Sequence, residues 1–173
     1  IRDRSSTGAL ELKKIPKKMI IVGAGVIGLE MGSIYSRLGT EVTVVEFFDK
    51  VLNGMDHDIS KNFKSILQKQ GFKFHLNSSV SMITKEKKGV KVTFKQVDSH
   101  DQNELSADVV LVATGRKPFT KNLKLENIGV KLNPKGQIET DRNWRTTATN
   151  IFALGDVTSG PMLAHKAEEE GIA

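Results

Sequence analysis

The stretch Lys18-Met19-Ile20-Ile21-Val22-Gly23-Ala24-Gly25-Val26-Ile27-Gly28 decides how this chain is read. A short apolar run gives way to glycines spaced Gly-x-Gly-x-x-Gly, a helical pattern follows, and the next apolar run ends on the acid Glu46. The glycine spacing alone is a weak signal. Strand, turn, helix, second strand and terminal acid in this order form the βαβ unit that holds a dinucleotide. Gly23 permits the tight turn, Gly25 lets a pyrophosphate approach the backbone, and Gly28 lets the helix pack close to the sheet. The pyrophosphate is then expected on the unpartnered N–H groups of the first helical turn rather than on lysine. Glu46 is expected to accept hydrogen bonds from both hydroxyls of the adenosine ribose and to repel a 2′-phosphate, which favours NAD over NADP. Lys50 lies within reach of such a phosphate, but Phe47 and Phe48 fill the nearer positions where arginine would serve NADP better. The competing reading is an ordinary glycine turn followed by a surface acid.

With 173 residues the chain can bury a substantial core. Its apolar stretches, such as Val109 to Ala113, fall far short of the roughly 20 residues a membrane helix needs. No signal-peptide pattern opens the sequence. Cysteine is absent, which excludes internal disulfides, thiolate metal sites and thiol catalysis in this chain. The formal charge of +6 raises the question of nucleic acid. Its lysine clusters, Lys13-Lys14 with Lys17-Lys18 and Lys85 with Lys87-Lys88, lie beside turns without interleaved aromatics, so they read as solvated surface. His57, His75, His100 and His165 have no metal-ligand spacing, and His100 is expected on a surface loop.

Along the chain, Arg2 to Thr7 reads as a loose lead-in. A helix is expected from Val26 to Leu38, with Ile27, Ile34 and Leu38 at helical spacing and Gly39 as its stop. Thr40 to Val45 reads as a strand. A second helix, capped by Asp56 or Asp58 and ended by Gly71, should bury Ile59, Phe63, Ile66 and Leu67, before a strand over Phe72 to Leu76. This β-α-β-α-β order calls for a parallel sheet. Val80 to Lys85 and Val90 to Val97 then form a hairpin in place of a crossover helix. Ser99 to Asn103 reads as a loop, and Ala107 to Ala113 as a strand buried on both faces that rejoins the sheet. Beyond Gly115 the texture changes: a turn at Asn133-Pro134-Lys135-Gly136, a strand over Asn150 to Leu154, and a last helix near Leu163. The fold class is thus α/β, a Rossmann-like parallel sheet with an inserted antiparallel hairpin or meander, followed by part of a second domain. The boundary is drawn between 1–116 and 117–173.

Several words in the chain resemble one family. They are Ser6-Thr7-Gly8-Ala9-Leu10, the segment Gly23 to Glu30, Ile59 to Phe63, Ile66 to Phe74, Gly115 to Leu123, Gly155-Asp156 and Gly160-Pro161-Met162-Leu163-Ala164-His165-Lys166-Ala167. The sequence resembles the pyridine nucleotide-disulfide oxidoreductases, and among them the dihydrolipoyl dehydrogenases of eukaryotic type. The resemblance implies a flavoprotein that oxidises protein-bound dihydrolipoamide through a cysteine pair, passes electrons to FAD and sends hydride to NAD. It also implies roles: NAD on Gly23, Ala24, Gly25, Val26, Ile27, Gly28, Leu29 and Glu30, its ribose on Glu46, its adenine near Val80, and the dinucleotide close to Gly115. Glu30 would position the nicotinamide beside the flavin. Asp156 would hydrogen-bond the flavin ribityl chain, and Met162, Leu163, Ala164 and His165 would line the FAD site. Because the chain lacks the cysteine pair, the resemblance makes it an NAD-binding fragment of such an enzyme, binding NAD or NADH without catalysing. For the parent it implies a homodimer serving lipoyl-bearing acyltransferase complexes in the mitochondrial matrix, with no nucleic acid or membrane partner. The alternatives are the same portion of another disulfide reductase, such as a glutathione or mercuric reductase relative, and a non-catalytic dinucleotide-sensing module.

Overall fold

The computed structural model describes residues 3–99 and 101–173; Arg2 and His100, with the expectations placed on them, lie outside the described residues. The chain divides into two compact units, Ile1–Gly115 and Arg116–Ala173, each with its own core.

The first unit is built on a five-stranded parallel sheet. Its strands are β1 (Asp3–Arg4), β2 (Lys18–Val22), β3 (Glu41–Val45), β4 (Lys73–His75) and β8 (Val109–Val112), in the spatial order β1-β8-β2-β3-β4. Helices α1 (Ser6–Leu10), α2 (Val26–Arg37) and α3 (His57–Lys69) pack on one face. The other face is covered by an antiparallel meander of β5 (Ser78–Glu86), β6 (Gly89–Gln96) and β7 (Gln102–Ala107). This is the expected α/β architecture.

Side chains that alternate along the strands serve both layers. Met19, Ile21, Val42, Val44 and Leu111 pack under the helices, while Ile20, Val45 and Val110 meet Val90, Val92 and Phe94 of the meander. Burial on both faces explains why β2 and β8 read as continuous apolar runs. Each fully buried Ile, Leu or Val contributes about 1.5–3 kcal/mol.

Several local expectations are corrected. The lead-in is not loose: Asp3–Arg4 pairs with β8, and Ser6–Leu10 is a helix whose Ser5 side chain accepts from the Gly8 N–H. The Tyr35 hydroxyl donates to the Ala9 carbonyl, which fastens α1 to α2, and burial raises the phenol's pKa. Helix α2 does not bury Ile34 and Leu38, which are exposed; its buried side is Gly28, Leu29, Met31, Gly32 and Tyr35. The glycines set that side. A Cβ on Gly32 would lie 2.8 Å from Ile21 Cδ1 and 2.9 Å from Phe72 Cε1, so the helix approaches too closely for larger residues there. In α3, Asp56 is the cap, accepting from the Asp58 and Ile59 amides; Leu67 and Ser60 are buried, whereas Ile59 and Ile66 are exposed. Gln102 and Asn103 belong to β7 rather than to a loop, and Ala107 ends β7, leaving Val109–Val112 as the strand that rejoins the sheet.

The second unit has a small core of Val130, Ile138 and Ala153. The turn at Asn133–Gly136 forms as expected, closed by the Gly136 N–H on the Asn133 carbonyl at 2.9 Å. Asn150 to Leu154 is not a strand; a single bridge joins Arg145 to Phe152. Helix α4 (Ala164–Ile172) follows Leu163, and Glu170 ties it to the preceding turn by accepting from the Gly155 N–H at 2.7 Å and pairing with Lys166. The Lys166 ammonium first, and the Gly155 amide second, hold the Glu170 carboxyl below its ordinary range.

Candidate dinucleotide site

The parallel strands β2, β3 and β8 end on one side of the sheet, where the order reverses around β2. Ligands of open α/β sheets bind outside the carboxyl ends of strands at such a switch point. A cleft of about 430 Å³ opens there, floored by Val22, Val45 and Ala113 at the strand ends. Its size falls within the range of small-molecule sites.

The three glycines of the loop play separable parts. Gly23 has φ +104°, and a Cβ on it would lie 2.5 Å from the Ala113 carbonyl oxygen, so the turn itself requires glycine. A Cβ on Gly28 would overlap the Gly23 carbonyl and come within 3.1 Å of Ile21 Cγ2. Gly25 differs. Its backbone is extended, with φ −79° and ψ 178°, and a Cβ there would meet nothing within 4 Å. It caps α2 without a side-chain hydrogen bond, so the first-turn amides of a twelve-residue helix are left for another acceptor. No lysine or arginine lines the cleft among the described residues.

Of the residues singled out from the sequence, Gly23, Gly25, Glu46, Val80 and Gly115 line this one cleft. Ala24 is buried behind the loop, Val26 and Ile27 open α2, and Gly28 and Leu29 are buried on its sheet side. Glu30 is exposed on the helix and does not line the cleft. Glu46 is only 8% exposed, and both of its carboxylate oxygens accept backbone amides: Oε2 from Ala24 at 2.5 Å and Oε1 from Phe48 at 2.9 Å. Asn53, Ser78, Ser79 and Thr114 also line the cleft and were not anticipated. Ser78 and Ser79 lie just beyond β4 and Thr114 just beyond β8, so the rule that ligands sit past strand ends could have found them.

Asp156, Met162, Leu163, Ala164 and His165 belong to the second unit. Asp156 pairs with Arg116 at 2.7 Å. Met162 is partly buried, Leu163, Ala164 and His165 are exposed, and Leu163 caps α4 without a side-chain bond.

Residues 1–171 match the family model described as pyridine nucleotide-disulphide oxidoreductase. The chain belongs to this family. It is 54% identical over 170 residues to the mitochondrial dihydrolipoyl dehydrogenases of Homo sapiens and Rattus norvegicus, an alignment covering 97% of this chain and 33% of each relative. The chain therefore spans about a third of the length of these curated relatives. Among solved structures it is similar to the HOCl-induced flavoprotein disulfide reductase RclA from Escherichia coli, with 36% identity and a TM-score of 0.87 over 98% of this chain and 38% of that one. A Cu(II) complex of a mutant of that reductase gives a TM-score of 0.90 at 35% identity, covering 98% of this chain and 37% of the other. The family is one of oxidoreductases, and the neighbours are named as flavoproteins.

Proposed function

We propose that this chain is the NAD-binding portion of a flavin-dependent dihydrolipoyl dehydrogenase. Residues 1–116 are its nucleotide domain and 117–173 the start of its central domain. The observation that carries the reading is Gly25. Two of the loop's glycines are required by the protein's own packing, whereas nothing in the protein requires Gly25 to lack a side chain. A glycine with open space above it, at the head of an uncapped helix, suits a pyrophosphate that must touch the backbone.

The roles of the chain's residues follow from that placement. The first-turn amides of α2 hold the pyrophosphate, Glu46 faces the adenosine ribose, and Val80 with the Phe47-Phe48 pair walls the adenine side. No lysine or arginine among the described residues lines the cleft to meet a 2′-phosphate, and Glu46 opposes it. Identity of 54% to dihydrolipoyl dehydrogenases, against 35–36% to the other flavoprotein reductase, favours dihydrolipoamide as the parent's substrate.

When bound in the parent enzyme, FAD supplies the electron relay between a dithiol and NAD. The second unit suits one edge of such a group: Asp156 is aligned by Arg116, and the uncapped turn at Leu163–His165 presents backbone donors. With no cysteine, this chain carries no dithiol chemistry of its own. Its share of the reaction is to bind and orient the nucleotide. A mitochondrial location is supported by the names of the relatives; matrix residence, a homodimeric parent and lipoyl-bearing acyltransferase partners belong to the same proposal.

Calorimetry on the chain tests the reading. NADH is expected to bind measurably, and NADPH more weakly. Absence of any binding by NADH or ADP-ribose would overturn the site, and equal or tighter NADPH binding would overturn the role given to Glu46.

A further inference from the structure

We propose that Glu46 is a positioning residue for the loop as well as a ribose acceptor: its carboxylate clamps the Ala24 and Phe48 amides and so fixes where Gly25 stands. The proposal rests on the dinucleotide reading above.

Two backbone amides meet at this carboxylate, one from the glycine loop and one from the turn after β3. Ala24 is 1% exposed, and its buried N–H donates to Oε2. Oε1 takes the Phe48 N–H, which sets the turn carrying Phe47 and Phe48 into the cleft wall. The backbone of Glu46 is itself fixed on both sides, its N–H donating to the His75 carbonyl and its carbonyl accepting the Ser78 N–H, each at 2.8 Å. The Ala24 carbonyl, in turn, accepts the Leu52 N–H at 2.9 Å. Removing the carboxylate leaves a buried donor at Ala24 without a partner, and the loop must shift to hydrate it. Gly25 is the next residue.

The clamp and the ribose contact are compatible. Each carboxylate oxygen accepts more than one hydrogen bond, so two amides and two hydroxyls can share the group. The clamp changes what a specificity mutation does. By charge alone, Glu46→Arg should turn the preference toward NADPH. The clamp predicts that the same change puts a donor beside the Ala24 donor and lowers affinity for both nucleotides.

Glu46→Gln separates the two roles. Its amide offers one acceptor oxygen where the carboxylate offers two, so one of the clamped N–H groups faces an NH₂. In the ligand-free chain, amide-resolved hydrogen exchange should speed up at Ala24 or Phe48 by about tenfold, while Val44 and Leu111 in the sheet stay unchanged. Calorimetry should show ADP-ribose binding weakened by about tenfold. The loss should persist with an analogue whose adenosine ribose lacks its 2′- and 3′-hydroxyls. Unchanged exchange at both amides, or a loss that disappears with the analogue, would overturn the positioning role. So would exchange that rises throughout the sheet, which would make Glu46 a residue of global stability, or net tight NADPH binding by the Glu46→Arg variant. If ADP-ribose fails to bind the unmutated chain, the dinucleotide reading fails, and exchange at Ala24 and Phe48 still decides the clamp.

Discussion

Replacing Gly25 by valine should separate binding from folding. Its φ of −79° is open to any residue, and a Cβ there meets no protein atom within 4 Å. The cost to stability is that of exchanging a glycine cap for a branched residue, about 1 kcal/mol or less. For a chain of this size that is a melting shift of about 2–4 °C. Binding should respond differently. The side chain occupies the space above the first turn of α2, and a pyrophosphate pushed off it loses two or three charge-assisted hydrogen bonds. At about 1.5–3 kcal/mol each, two of them amount to at least ~3 kcal/mol, more than a hundredfold in affinity. Gly28→Ala is the control, because its Cβ overlaps the Gly23 carbonyl and crowds Ile21. Overpacking of this kind costs about 1–3 kcal/mol or more. The assay is a thermal melt beside an ADP-ribose titration for each variant. A Gly25→Val protein that binds normally, or that melts as low as Gly28→Ala, would refute the division of labour among the three glycines.

Further outcomes follow from groups away from the cleft. Ser60 Oγ is buried without a hydrogen-bond partner, so Ser60→Ala should leave stability unchanged or raise it by up to about 1 kcal/mol in urea unfolding. His75 packs 4.9 Å from the Phe94 ring, and burial holds its pKa below the ordinary 6.5. The unfolded chain therefore takes up the proton first, so this contribution is present above pH ~6.5 and lost as pH falls below it. His75→Leu should flatten the melting-temperature slope between about pH 7.5 and 5.5 relative to the parent. Finally, a chain with no thiol should show no dihydrolipoamide-dependent NADH formation. Turnover in that assay would require chemistry these residues do not supply.

The sheet was legible because each of its faces is buried, which leaves unbroken apolar runs at Met19–Val22 and Val109–Val112 of the kind a doubly covered parallel strand produces, bounded by the turns of a βαβ order. The elements that escaped are those whose burial does not follow side-chain hydrophobicity. Helix α2 turns its glycines inward and leaves Ile34 and Leu38 exposed, because close approach to Ile21 and Phe72 matters more there than apolar area. Strand β7 carries Gln102, Asn103 and Glu104 on an exposed edge, where pairing with β6 organises it and its polar sequence reads as loop. Strand β1 is two residues long and exists through its register with β8, which no local pattern announces.

The site shows the same division. Gly23, Gly25 and Glu46 were visible because a βαβ unit fixes their spacing along the chain. The hydrogen bond from Ala24 to Glu46 was not, since it joins the turn after β2 to the end of β3 and exists only once those strands lie side by side in register, Val22 opposite Val45. That pairing brings an acid, recognisable in sequence as a ribose acceptor, against a loop amide that has to be satisfied before any ligand arrives. A carboxylate there satisfies the buried donor and still presents acceptors to the cleft. Arginine at position 46 could do neither, which is why charge at one residue is an incomplete guide to nucleotide preference in this fold.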